Sequence, residues 1–131
     1  MRSKVVKILE REDAKAVENP VHPGTPDVNY IEGWIELKQV PEWPANEETP
    51  LRIAHFTPQQ RVWLMRRCSM GGRAHLLLQV GREWLLFTGT VAAKEIGTAN
   101  MHRLRGLAVR KWKSWHEVEA GLKSALLAKS G

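Results

Sequence analysis

Cysteine is almost missing from this chain: Cys68 stands alone among 131 residues. No internal disulfide can form, and a thiolate zinc cage is excluded. A lone cysteine suits a reducing compartment, so a cytoplasmic setting is expected. Cys68 itself reads as a packing residue within a helix. Long hydrophobic runs are lacking too. No stretch approaches the roughly 18 apolar residues of a membrane span, and no signal-peptide core opens the chain, so no membrane partner is expected. The five histidines are too scattered for a zinc site. Neither a glycine-rich phosphate loop nor a Gly-x-Ser-x-Gly elbow occurs, which argues against nucleotide-dependent transfer and serine-hydrolase chemistry. Repeats and low-complexity segments are also absent.

What is present is an ordinary globular composition, 43% hydrophobic and 26% charged. This length predicts one domain, 1–131, with a sheet of about five strands and flanking helices. The net charge of +6 is unevenly spread: residues 1–56 sum to −3 and residues 57–131 to +9. A basic half of this kind suits a polyanion, because neutralising phosphates releases counterions, although scattered surface cations also keep many proteins soluble.

The stretch Gly24–Lys38 reads as a β-hairpin, with runs rich in Val, Ile, Tyr and Trp on either side of Glu32-Gly33. With those two residues as the loop, Asp27 faces Lys38, Val28 faces Leu37 and Asn29 faces Glu36. Alternation then puts Asp27, Asn29, Glu36 and Lys38 on one side of the hairpin, and Val28, Tyr30, Ile35 and Leu37 on the other. Converging carboxylates repel unless a cation sits between them, and Mg²⁺ or Mn²⁺ takes oxygen ligands of this type. A neighbouring lysine can stabilise charge developing on a phosphoryl group, so the set suits phosphodiester hydrolysis. The same spacing is equally compatible with an exposed Asp–Lys salt bridge.

These residues also carry a family resemblance. Pro26-Asp27 followed by Glu36-Leu37-Lys38 resembles the PD-(D/E)XK motif of restriction-endonuclease-like nucleases. With Gly24-Thr25 before it, and Thr57-Pro58-Gln59-Gln60 and Gly71-Gly72 after it, the chain is similar to the virus-type replication–repair nuclease (VRR-NUC) branch in its stand-alone, phage-like form. The likeness covers about residues 2–89, leaving a basic helical extension over about 90–131. The resemblance implies an α/β restriction-endonuclease-like core with a mixed sheet. It implies a Mg²⁺- or Mn²⁺-dependent DNA endonuclease, with Asp27, Glu36, the Leu37 carbonyl, and Glu10 or Glu18 around the metal. Lys38 and Gln60 would assist attack by water. It further implies branched DNA such as Holliday junctions as substrate, in replication, recombination or repair, a homodimer as the working form, and a host-cell cytoplasm if the chain is viral. A catalytically silent DNA-binding subunit and an end-directed exonuclease are the alternatives.

The other segments give expectations of their own. Residues 2–13 carry a helical apolar stripe; Glu10 lies at its end, which also reads simply as a solvated helix terminus. Residues 15–19 read as a short strand. Leu51, Ile53 and Phe56 are expected to anchor the irregular loop 41–56. Thr57, Pro58 and Gln60 form a capping box that opens a helix running to Ser69. Gln60 thus has a capping reading beside its catalytic one. Strands are expected over 74–80 and 83–88, and a short helix over 91–96. Candidate phosphate contacts are Arg61, Arg66, Arg67 and Arg73, then Arg103, Arg105, Arg110, Lys111 and Lys113 in the basic stretch 101–113. Trp112 in that stretch offers a stacking platform beside those cations, while Leu104, Leu107, Val109 and Trp112 also read as core. Ser114 and Glu117 predict a second capping box opening a helix that ends near Lys129.

Overall fold

The structure is a computed structural model that describes residues 4–5, 15–16, 28–30 and 33–127. Among these residues six strands lie in one sheet in chain order: β1 (Lys15–Ala16), β2 (Val28–Tyr30), β3 (Gly33–Val40), β4 (Arg73–Val80), β5 (Glu83–Thr88) and β6 (Arg110–Trp112). Only β3 and β4 run parallel; the remaining neighbours are antiparallel. A parallel pair needs a crossover, and helix α1 (Pro58–Ser69) lies within it. Three further helices follow: α2 (Gly89–Glu95), α3 (Met101–Leu107) and α4 (Trp115–Leu127). The chain is therefore an α/β fold with a mixed open sheet flanked by helices, as expected. Lys4 and Val5 are helical, in keeping with a helix at 2–13; the rest of that segment lies outside the described residues.

Each sheet face carries its own core. Ile35, Leu37, Leu77 and Leu86 pack with Val5 and with Val118, Leu122 and Leu126 of α4. On the opposite face Leu76, Leu78, Leu85 and Phe87 meet Leu64 of α1, Ile96 and Leu104. Leu51, Ile53 and Phe56 are buried on that same side, so the 41–56 loop is anchored where the sequence places its anchors. The near-continuous apolar runs of β4 and β5 follow from this, since both faces of those strands are covered.

Three local readings need correction. The hairpin register is Val28↔Ile35, Asn29↔Trp34 and Tyr30↔Gly33. Gly33 is therefore a strand residue rather than part of the loop, and the expected opposition of Val28 to Leu37 does not occur. The reason lies on its other side: a Cβ on Gly33 would sit 2.1 Å from the Arg73 carbonyl oxygen. The glycine permits close strand approach and not a tight turn. A shift of two keeps every β3 side chain on its expected face, because the side-chain period is also two. Second, the sheet has six strands rather than five, because the basic stretch is not wholly helical. Ala108 leaves the helix with an extended backbone, Val109 N–H donates to Leu86 O, and Trp112 pairs opposite Trp84. Third, Glu117 accepts the Lys113 N–H rather than that of Ser114, while Ser114 Oγ still receives the Glu117 N–H, so this cap is only half a box.

Candidate active site

Glu36 and Lys38 are two apart on β3 and so share a face, the one turned to α1, while Ile35 and Leu37 enter the opposite core. Both are almost wholly buried, Glu36 at 1% exposure and Lys38 at 4%. Charged side chains are rarely buried to this degree unless paired, and these are. Lys38 Nζ lies 3.1 Å from Glu36 Oε1 and donates to the His55 carbonyl at 2.9 Å. The Phe56 ring roofs the ammonium, its centre 5.8 Å from Nζ.

Helix α1 delivers the third member. Thr57 Oγ1 accepts the Gln60 N–H, and Gln60 Oε1 accepts the Thr57 N–H at 3.0 Å. The capping box is complete, and it fixes which way the amide faces. With its oxygen on the cap, Gln60 presents Nε2 to Glu36 Oε1 at 3.3 Å. The capping and site readings of Gln60 are thus two ends of one side chain. Glu36 Oε1 receives an ammonium and an amide N–H together.

Asp27, Glu10 and Glu18 lie outside the described residues, so their places around Glu36 are not part of the described site. Among the described residues no group of three or more His, Cys, Asp or Glu could hold a metal ion. The donors the motif names are nevertheless uniform in chemistry: carboxylate oxygens and the backbone carbonyl of Leu37. An all-oxygen set next to a buried carboxylate fits a hard divalent cation and not a soft one.

The expected phosphate contacts divide by partner. Arg61 Nη1 donates to Ala93 O at 2.9 Å and Ile96 O at 2.6 Å, while its guanidinium carbon lies 4.2 Å from the centre of the Phe56 ring. It ties α1 to the C-terminal end of α2, where a cation also suits the helix dipole, and burial pulls its pKa below the ordinary value. Arg73 donates to Leu126 O at the end of α4. Arg103 forks onto Glu95 and Arg105 onto Glu83. Burial would raise the Glu83 carboxyl, but the hydrogen bonds from Arg105 and Trp43 outweigh it and hold the group below its usual range. Arg110 is exposed and donates to Val109 O. Arg66, Arg67, Lys111 and Lys113 project into solvent.

One contributor escaped the sequence reading: the His55 carbonyl holds Lys38, and a backbone acceptor leaves no mark on residue identity. Trp34, the aromatic that precedes the Glu36 motif, stands edge-on to Trp63 with ring centres 5.3 Å apart.

No protein-family model matches the chain, and no curated protein matches it significantly. Among solved structures the chain is similar to Hjc of Archaeoglobus fulgidus, a Holliday junction resolvase from an archaeal hyperthermophile. The two share 17% identity at a TM-score of 0.40, over 80% of this chain and 95% of that one. A likeness at that level does not carry an activity across, and the functional reading rests on this chain's own residues. No helix among the described residues is long and apolar enough to cross a membrane.

Proposed function

We propose that this chain is a divalent-metal-dependent deoxyribonuclease of the PD-(D/E)XK type, a single restriction-endonuclease-like domain over 1–131, acting on branched DNA. The observation that carries the proposal is the buried meeting of Glu36, Lys38 and Gln60. These are three residues of the motif Pro-Asp…Glu-x-Lys…Thr-Pro-x-Gln, drawn together from a strand and a helix start. An exposed pair would contribute only about 0–1 kcal/mol, whereas burying two charges carries a desolvation cost that further hydrogen bonds must offset.

In this proposal Asp27 and Glu36 hold Mg²⁺ or Mn²⁺, with the Leu37 carbonyl and Glu10 or Glu18 completing the shell. The bound ion supplies charge neutralisation at the phosphate and a more acidic water. The chain's own residues do the remainder. Lys38, held by His55 O and Glu36, keeps a fixed ammonium where negative charge develops during hydrolysis. Gln60 holds the Glu36 carboxylate in one orientation from the rigid first turn of α1. Arg66 and Arg67, exposed at the far end of that helix, contact the phosphate backbone. A homodimer would present two such sites for opposed nicks, in the cytoplasm, that of the host cell if the chain is viral.

The test is incubation of linear, flapped and four-way-junction DNA with the protein in Mg²⁺ or Mn²⁺. Wild type is expected to cut the junction preferentially, and Asp27→Ala and Glu36→Gln to abolish cutting. Cutting that survives Asp27→Ala would overturn the assignment. Sedimentation of wild type gives the oligomeric state independently, with a dimer expected.

A further inference from the structure

Far from Glu36, the end of the sheet formed by β5 and β6 carries two adjoining hollows, of about 510 and 650 Å³, that share Arg82 and Lys113 as a common wall. The outer hollow adds Lys111, Arg105 and Trp112; the inner adds Lys4, Trp84 and Trp115. Glu83 is the one acid among the lining residues, and Arg105 already holds it through both carboxylate oxygens. Arg82, Lys111 and Lys113 are exposed and enter no ion pair within 4.0 Å among the described residues. Trp112 and Trp115 pack against the α4-side core and are partly exposed; Trp115 stands tilted against Trp84, ring centres 5.3 Å apart, with Lys4 Nζ 5.5 Å from its own centre, so each indole keeps only part of its surface open.

Lys111 shares the sheet face of Lys38, so distance along the row separates the outer hollow from the Glu36 site, while the sheet itself separates the inner one. Lys38, Leu78, Leu85 and Lys111 lie in one cross-strand row. Three strand spacings of about 4.8 Å put the backbones of Lys38 and Lys111 roughly 14 Å apart. The inner hollow also takes in Gln39 and Gln79, odd-numbered neighbours that point away from the Glu36 face.

We infer that this joined hollow is a second polynucleotide-binding surface, for a single strand running outside the hydrolytic site. Cations that enter no close ion pair among the described residues meet a polyphosphate at little cost, because no contact ion pair there must first be broken. Indole faces set between them provide stacking for unpaired bases, which a duplex keeps hidden; cation and aromatic together are the composition of single-strand surfaces. The inference goes beyond the proposed hydrolysis and does not depend on it.

The experiment is fluorescence anisotropy with a labelled 20-nucleotide oligo-dT in EDTA, titrated over a range of salt. Lys111→Glu/Lys113→Glu is expected to weaken binding by about tenfold or more and to reduce the steepness of the salt dependence by about 1 to 1.5. The charge-matched control Arg52→Glu/Lys94→Glu, at exposed cations away from the hollow, should change affinity by less than about threefold. Lys111→Gln/Lys113→Gln gives a milder change in the same direction if the reversed charges disturb folding. A 20-base-pair duplex should bind about tenfold more weakly than the single strand. Equal losses in the two charge-matched variants would overturn the surface, and equal or tighter duplex binding would overturn the single-strand assignment. A chain that binds through Lys111 and Lys113 but never hydrolyses DNA would defeat the proposed function and leave this surface standing.

Discussion

Gln60→Glu separates a residue that only caps a helix from one that also serves the site. A glutamate at this position keeps the capping box, since a carboxylate oxygen accepts the Thr57 N–H as readily as the amide oxygen does. It also places negative charge in the first turn of α1, which has no acidic residue there, a change worth about +0.3 to 1 kcal/mol at a helix N-terminus. A pure cap would therefore be neutral or better. The far end of the side chain predicts the opposite. The amide N–H that donates to Glu36 Oε1 at 3.3 Å becomes a second carboxylate oxygen at that distance. Two unit charges so placed repel by about 5 kcal/mol at an effective dielectric of 20 and about 1 kcal/mol in bulk water. Lys38, 3.1 Å from the same oxygen, offsets part of this, so a net loss of about 1–3 kcal/mol is expected. The folded variant escapes the repulsion by keeping a proton on the pair, so it binds more protons than its unfolded chain above the ordinary glutamate pKa of about 4.3. Its stability relative to wild type must then fall as pH rises from about 4.3 and recover below it. Urea melts of both proteins between pH 4 and pH 8, with junction cleavage at pH 7.5, measure the two consequences, and a loss of activity of about 100-fold or more is expected. A stability difference that is favourable and flat with pH, together with undiminished cleavage, would reduce Gln60 to a cap.

Lys38→Ala strips the buried Glu36 carboxylate of its ammonium and should cost about 3–5 kcal/mol in a denaturant melt. His75 is held neutral, its pKa lowered to about 4 by burial and secondarily by Arg73. Its contribution is complete above the unfolded pKa of about 6.5 and is lost as pH falls toward and through 4, about 3 kcal/mol in all. His75→Phe should therefore flatten the stability–pH curve between pH 6.5 and 4, which thermal melts at stepped pH will show. Gly33→Ala drives a methyl group against the Arg73 carbonyl and should lower stability by more than about 1 kcal/mol, whereas a turn glycine at negative φ would tolerate it.

The elements legible in advance were those whose signals are local. Thr57, Pro58 and Gln60 specify a helix start within four residues, and the capping bonds form as the pattern requires. The apolar runs 74–80 and 83–88 could hardly be anything but covered strands. Gly33 misled because a glycine between two β-rich runs has two physical uses, a reversal or a close approach, and the second depends on Arg73, forty residues away. Residues 110–112 misled for the same reason. Their strand exists because β5 offers a free edge to pair with, a fact of the assembled sheet and not of Arg-Lys-Trp.

The cations make the sharper case. A charge count identifies the C-terminal part as basic, but affinity for a polyanion depends on which charges remain uncommitted after folding. Arg61 and Arg73 end on helix-terminal carbonyls, and Arg103 and Arg105 on glutamates eight and twenty-two residues away. Each of those four already has part of its guanidinium committed within the fold, which leaves fewer N–H groups for a phosphate. Lys111 and Lys113, ordinary members of the same basic run, enter no ion pair within 4.0 Å among the described residues. The surface that binds nucleic acid should therefore follow the uncommitted cations around Lys111 rather than the peak of positive charge in the sequence, and side-chain partners decide where that surface lies.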